Sequence, residues 1–160
     1  MNSKFERWLV TNEWYVEVNL TRCSQLNIDV LKQYNNIPSS FLEFLKYFKN
    51  ITSKDESTWF ICCDEYNDST EDAFKWNEFE LLSLEAAEDD EEWQKEIREW
   101  WKNKLPILMS VRDGYSFFAI DLLNNGAIVR GEEPEFEETC IIANSFEEFL
   151  DMIMEYKILL

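Results

Sequence analysis

The chain has no histidine, and only three glycines and three prolines among its 160 residues. Without imidazole there is no Ser-His-Asp or Cys-His nucleophile pair, no histidine general base and no histidine-ligated zinc. Gly114, Gly126 and Gly131 cannot build a GxGxxG turn or a Walker-type phosphate loop. Cys23, Cys62, Cys63 and Cys140 show no CxxC spacing. Neighbours such as Cys62 and Cys63 rarely bridge each other, and on a strand they point to opposite faces. Reduced, mostly buried thiols and a cytoplasmic location are therefore expected. No stretch approaches the roughly 20 apolar residues of a membrane span. The N-terminus, Met1 to Trp8, has neither the apolar run nor the small-residue cleavage site of a signal peptide.

Positive charge is the other shortage. Lysine and arginine number 15 against 33 acids, a net of −18. Residues 1–50 are near balance, with five acids and six bases; residues 51–100 carry 17 acids and four bases, and residues 101–160 carry 11 and five. A field of this sign disfavours nucleic-acid backbones and anionic membranes and attracts a basic partner; simple solubility is the plainer alternative.

The chain is rich in core material, 46% apolar and 16% aromatic, which argues against disorder and for one domain across 1–160. Phe5, Trp8 and Leu9 fit one helical face, Ile28, Leu31 and Tyr34 another, and Trp14 to Val18 can run extended. Pro38 and the Ser40-Phe41-Leu42-Glu43 capping box predict a helix over about 38–49, with Phe41, Phe44, Leu45 and Phe48 facing the core. Ser57 to Cys63 reads as a strand, the acidic stretch Asp64 to Asp72 as a loop, and Phe74 to Phe79 as a second short extended piece. From Leu84 to Asn103, Trp93, Ile97, Trp100 and Trp101 recur at helical spacing, with acids early and lysines late, and are expected in the core. Asp113-Gly114 and Asn125-Gly126 then punctuate an antiparallel meander from Ile107 to Arg130. Cys140 to Ala143 adds a strand, and Ser145-Phe146-Glu147-Glu148 opens a closing helix. The order implies an α+β fold.

Candidate chemistry is sparse. The run from Asp64 to Asp72 lacks the glycine that an EF-hand loop needs for its sharp turn. Glu85 to Glu92 reads as a charged helix start before a metal patch, and no carboxylate pair has the features of a hydrolase site. No catalytic, cofactor or metal residue is assigned. Trp59 and Trp76 flank the acidic loop and are candidate interface anchors. Cys62 and Cys63 are expected to be structural.

Several short motifs then occur together. Ile37-Pro38-Ser-Ser-Phe41-Leu-Glu-Phe44-Leu45, Phe74-Lys-Trp76-Asn77, Trp101 through Leu105-Pro106-Ile107, Gly114-Tyr115, Ile120-Asp121, Gly126-Ala-Ile128-Val129 and Ala143-Asn-Ser145-Phe146-Glu-Glu-Phe149-Leu150 follow one another in this order. Together they resemble the SUKH superfamily of bacterial immunity proteins and fungal Smi/Knr-type cell-wall regulators. The likeness covers about 26–156, with 1–25 as an N-terminal extension packed on the domain. Two positions depart from the family pattern: Leu-Pro is Ile37-Pro38, and the usual Asn-Gly after the first helix is Asn50-Ile51-Thr52. The resemblance implies a mostly antiparallel central sheet flanked by helices. It also implies a non-catalytic antidote to a protein toxin, often a nuclease, or a regulatory scaffold. A nuclease is basic because it binds phosphates, so the acidic stretches become candidate contacts: Asp64, Glu65, Asp68, Glu71 and Asp72, then Glu132, Glu133 and Glu135, with Trp59 and Trp76 beside the first.

Overall fold

Among the described residues, seven antiparallel strands pair in the order in which the chain makes them: β1 (Tyr15–Val18), β2 (Phe48–Thr52), β3 (Thr58–Phe60), β4 (Lys104–Ser110), β5 (Ser116–Asp121), β6 (Ala127–Glu132) and β7 (Cys140–Ala143). This computed structural model describes residues 1–19, 28–67 and 74–160. Among them are six α-helices: α1 (Asn2–Thr11), α2 (Ser39–Tyr47), α3 (Cys63–Tyr66), α4 (Glu78–Ala86), α5 (Glu91–Trp101) and α6 (Phe146–Met154). The fold is α+β, as the element order implied.

Alternation along the strands divides the core into two layers. On one face the paired residues Ile51, Phe60, Leu108 and Phe118 form a row across β2 to β5. Helices α1, α2 and α6 cover that row: Phe60 lies 5.6 Å from Phe5 and 5.5 Å from Phe44, and Phe118 lies 5.0 Å from Phe149. The helix starting at residue 2 is thus part of the main core, with Phe5 and Leu9 buried. On the opposite face the row is Tyr15, Thr52, Trp59, Met109, Phe117 and Gly131. There Phe117 meets Trp101 of α5 at 5.0 Å and Phe79 of α4 at 5.8 Å. Gly131 is required by this packing, because a Cβ would stand 2.4 Å from the Phe117 ring and 2.5 Å from the Phe136 carbonyl oxygen.

Several local expectations are corrected. Strand β2 begins directly after α2, because Phe48 continues the apolar stripe of the helix while Phe48 and Ile51 are also the inward residues of a strand. It runs straight through Asn50-Ile51-Thr52, so no glycine turn is needed there. Pro38 is the N-cap residue of α2 and no side chain caps that end; Glu43 pairs with Lys46 at 2.6 Å, and the expected capping box does not form. Phe74 to Phe79 is not a strand; α4 starts at Glu78. The single long helix over 84–103 is two helices. Asp90 breaks it by accepting the amides of Glu92 (3.1 Å) and Trp93 (2.9 Å), which places Glu91 and Glu92 in a first turn, where the helix dipole favours acids. Ile97 and Trp101 are core residues and Trp100 is half-buried, but Trp93 is 47% exposed, because the apolar stripe leaves the core at the start of α5.

The later elements follow the pattern more closely. Asn125 and Gly126 both have positive φ, 52° and 79°, although the connection spans 122–126 and is longer than a two-residue turn. The Ser145 hydroxyl accepts the Glu148 amide at 3.1 Å and opens α6. Pro106 sits inside β4 beside a register shift, a place where a strand tolerates a missing donor. Cys62 is buried, but Cys63 is half-buried and Cys140 exposed, so the expected burial of the thiols holds only in part; Cys23 lies outside the described residues.

Candidate protein-binding face

The two faces of the sheet are not equally covered. Helices α4 and α5 pack over β4 to β6, whereas the same face of β1 to β3 opens into a groove of about 520 Å³. Its floor comes from strand alternation in β2, where Asn50 and Thr52 point away from the buried Ile51, while Phe48 is buried beyond the register shift at the start of the strand. Tyr15 and Trp59 rise on either side of Thr52, one from each neighbouring strand. Phe74 closes one side, its ring 5.8 Å from that of Trp59, and Glu56 and Glu65 also line the groove. Tyr15 is 56% exposed, while Trp59 and Phe74 are half-buried. No lysine or arginine is among the described residues that line the groove.

The candidate residues divide between this groove and other places. Trp59 and Glu65 are brought together in it. Glu65 is also a structural group: it is buried, and its carboxylate accepts the Cys62 amide at 2.9 Å at the start of α3. Asp64, its neighbour on α3, is half-buried and acts electrostatically on Lys49. Asp68, Glu71 and Asp72 lie outside the described residues. Trp76 belongs to a separate aromatic cluster, with ring centroids 5.9 Å from Tyr66 and 6.5 Å from Tyr34. Burial raises the phenol pKa of both tyrosines, and the Tyr66 hydroxyl donates to the Pro106 carbonyl.

Glu132, Glu133 and Glu135 are exposed at the end of β6 and just after it. Glu132 pairs with Arg130 at 2.7 Å, and Glu133 accepts the Tyr115 amide at 3.0 Å. Tyr115 connects this acidic stretch to the groove, because its ring lies 5.5 Å from Phe74. The sequence separates Glu65 from Glu133 by 68 positions, and the fold places both beside the aromatic series Trp59, Phe74 and Tyr115. Other members of the 132–138 stretch are structural: Phe136 stacks on Phe79 at 4.8 Å, and Glu137 accepts the Trp101 indole N–H at 2.7 Å.

Sequence reasoning missed Tyr15, Asn50, Thr52, Glu56 and Tyr115 as members of this face. The three-residue step from Phe48 to Ile51 continues the helical stripe and is interrupted by a register shift in the strand, so no clean alternation marked β2. Among the described residues no three histidine, cysteine or carboxylate side chains converge as a metal site, and no helix is long and apolar enough to cross a membrane.

Residues 23–152, most of the chain and nearly all of the sheet, match the SMI1/KNR4 family (SUKH-1). The chain belongs to that family. Comparison with curated proteins and with solved structures gives no match. Membership supports a general immunity or regulatory role exercised through protein–protein contact. In this SMI1/KNR4 domain the match spans β2 to β7, and so includes every groove residue except Tyr15.

Proposed function

We propose that this protein is a non-catalytic antidote that binds and neutralises a basic protein toxin, such as a nuclease, in the cytoplasm. The observation that carries the reading is an aromatic groove with no cationic side chain among its described lining residues, in a member of the SUKH-1 family with a large excess of carboxylates. With 33 acids against 15 bases, more than half of the carboxylates have no cation of their own chain to pair with. Opposite fields accelerate encounter, and buried aromatic anchors supply most of the binding energy once partners dock. Trp59, Glu65, Glu132, Glu133 and Glu135 are the proposed contacts on the described surface, with Asp64 beside them; Asp68, Glu71 and Asp72 are proposed from sequence alone.

Co-expression with the product of the adjoining gene tests the reading. Rescue of growth from that product's toxicity is expected, with one tight basic partner recovered on purification. Alanine at Asp64, Glu132, Glu133 and Glu135 together should slow association and flatten its dependence on salt. Unchanged association kinetics would remove these acids from the interface. Membership of the SMI1/KNR4 branch favours a second reading, a regulatory scaffold of a cell-wall or signalling assembly. That reading expects several weaker partners and no rescue.

A further inference from the structure

We infer that the groove over β1 to β3 is a receptor for an arginine side chain of the partner, carried on an extended segment that lies across Thr52 between Tyr15 and Trp59. The inference rests on the protein-binding reading and deepens it by naming the chemical group recognised.

Tyr15, Thr52 and Trp59 occupy one row of the sheet, so the two rings are rooted two strand spacings apart, about 10 Å. A planar guanidinium can slide between such walls with its plane against the indole. Phe74, 5.8 Å from Trp59, gives a third aromatic surface. The electron-rich faces of aromatic rings attract cations, and tryptophan does so most strongly. Glu56, exposed in the turn between β2 and β3, and Glu65, in the wall near α3, put negative charge at the groove, while Asn50 and Thr52 provide neutral acceptors on its floor. A carboxylate beside a flat aromatic wall suits the forked donors of arginine better than the single ammonium of lysine. Charge complementarity thus commits the groove to a cationic occupant, and aromatic geometry selects among cations. The volume also fits: about 520 Å³ is in the range of sites that enclose a whole side chain with some of its backbone.

The test uses the full-length protein labelled with ¹⁵N, titrated with N-acetyl-arginine amide, its neutral isostere N-acetyl-citrulline amide, and N-acetyl-lysine amide. The arginine probe is expected to shift the Trp59 indole N–H and the Tyr15 and Thr52 amides in one saturable process. Citrulline should leave them in place, and lysine should bind several-fold more weakly than arginine. Trp59→Ala should lower the arginine affinity on the order of tenfold. Glu56→Gln, a surface change in a turn, should weaken it without disturbing the remaining spectrum, which keeps the test valid if the Trp59 variant folds poorly. Equal binding of citrulline, shifts centred on another surface, no saturable shift, or a groove closed by a second copy of the chain would each overturn the inference. Toxin rescue without arginine binding would leave the antidote reading standing and remove this one; arginine binding without rescue would do the reverse.

Discussion

Trp59 and Phe117 lie in the same row of the same sheet, two strands apart, yet they work in different surroundings. Phe117 is fully buried beneath α4 and α5, whereas Trp59 stands half-exposed at the edge of a groove. Both residues are aromatic and both occupy strands, so neither composition nor strand propensity separates them. The difference comes from what the chain places above each strand. Among the described residues, one half of the sheet is covered on both faces and packs as core, and the other is covered on one face and leaves a groove open.

The sharpest test of that contrast is Phe117→Ala, which removes a ring packed against Trp101, Phe79 and Phe136. It should cost about 3–5 kcal/mol in denaturant unfolding, as for other buried aromatics. Gly131→Ala adds a methyl to the same site where no space exists, and a loss of about 1–3 kcal/mol is expected from overpacking. Trp59→Ala, on the open half, should cost no more than about 1–2 kcal/mol. A cost equal to that of Phe117→Ala would break the distinction between the halves. Asp90→Ala deletes the cap that separates α4 from α5 and should lower stability by about 1 kcal/mol.

The smallest effect expected is in the acid limb of the pH profile. The Asn144 amides hold the Glu148 carboxyl below the usual carboxylate range, and the hydroxyls of Ser53 and Ser57 do the same for Asp55. Each folded-state pKa therefore lies below its unfolded value. The associated stability is fully present above the unfolded pKa and is lost as pH falls through the folded one. Glu148→Gln should make stability fall less steeply with acidification; an unchanged acid limb would show that the α6 cap contributes nothing to it.

Much of the covered half was legible in the sequence. The hairpin signals at Asn125-Gly126 and the apolar face of α6, like the edge strand at Cys140 to Ala143, depend on local periodicity and turn chemistry, which act over a few residues. The open half was harder to read because its residues are defined by position in the sheet. Thr52 and Asn50 are unremarkable polar residues until β2 is known to be a strand, and Glu56 is an ordinary turn acid until the turn is seen to border a groove. Trp59 was identifiable as a candidate because a large aromatic beside charge is unusual at any level of description. Glu65 has two environments at once, a helix cap and a groove wall, and only one of them follows from its neighbours in sequence.

The sequential strand order has a consequence for how the molecule is made. Each strand hydrogen-bonds only with those before and after it in the chain; β2–β3 and the pairings from β4 to β7 close short loops, whereas β1–β2 and β3–β4 are joined across long connections that contain helices. Topologies dominated by near neighbours close short loops and tend to fold quickly. During synthesis β1 to β3 emerge before the helices that roof the rest of the sheet, so the groove takes shape on the part of the sheet that, among the described residues, has no second roof.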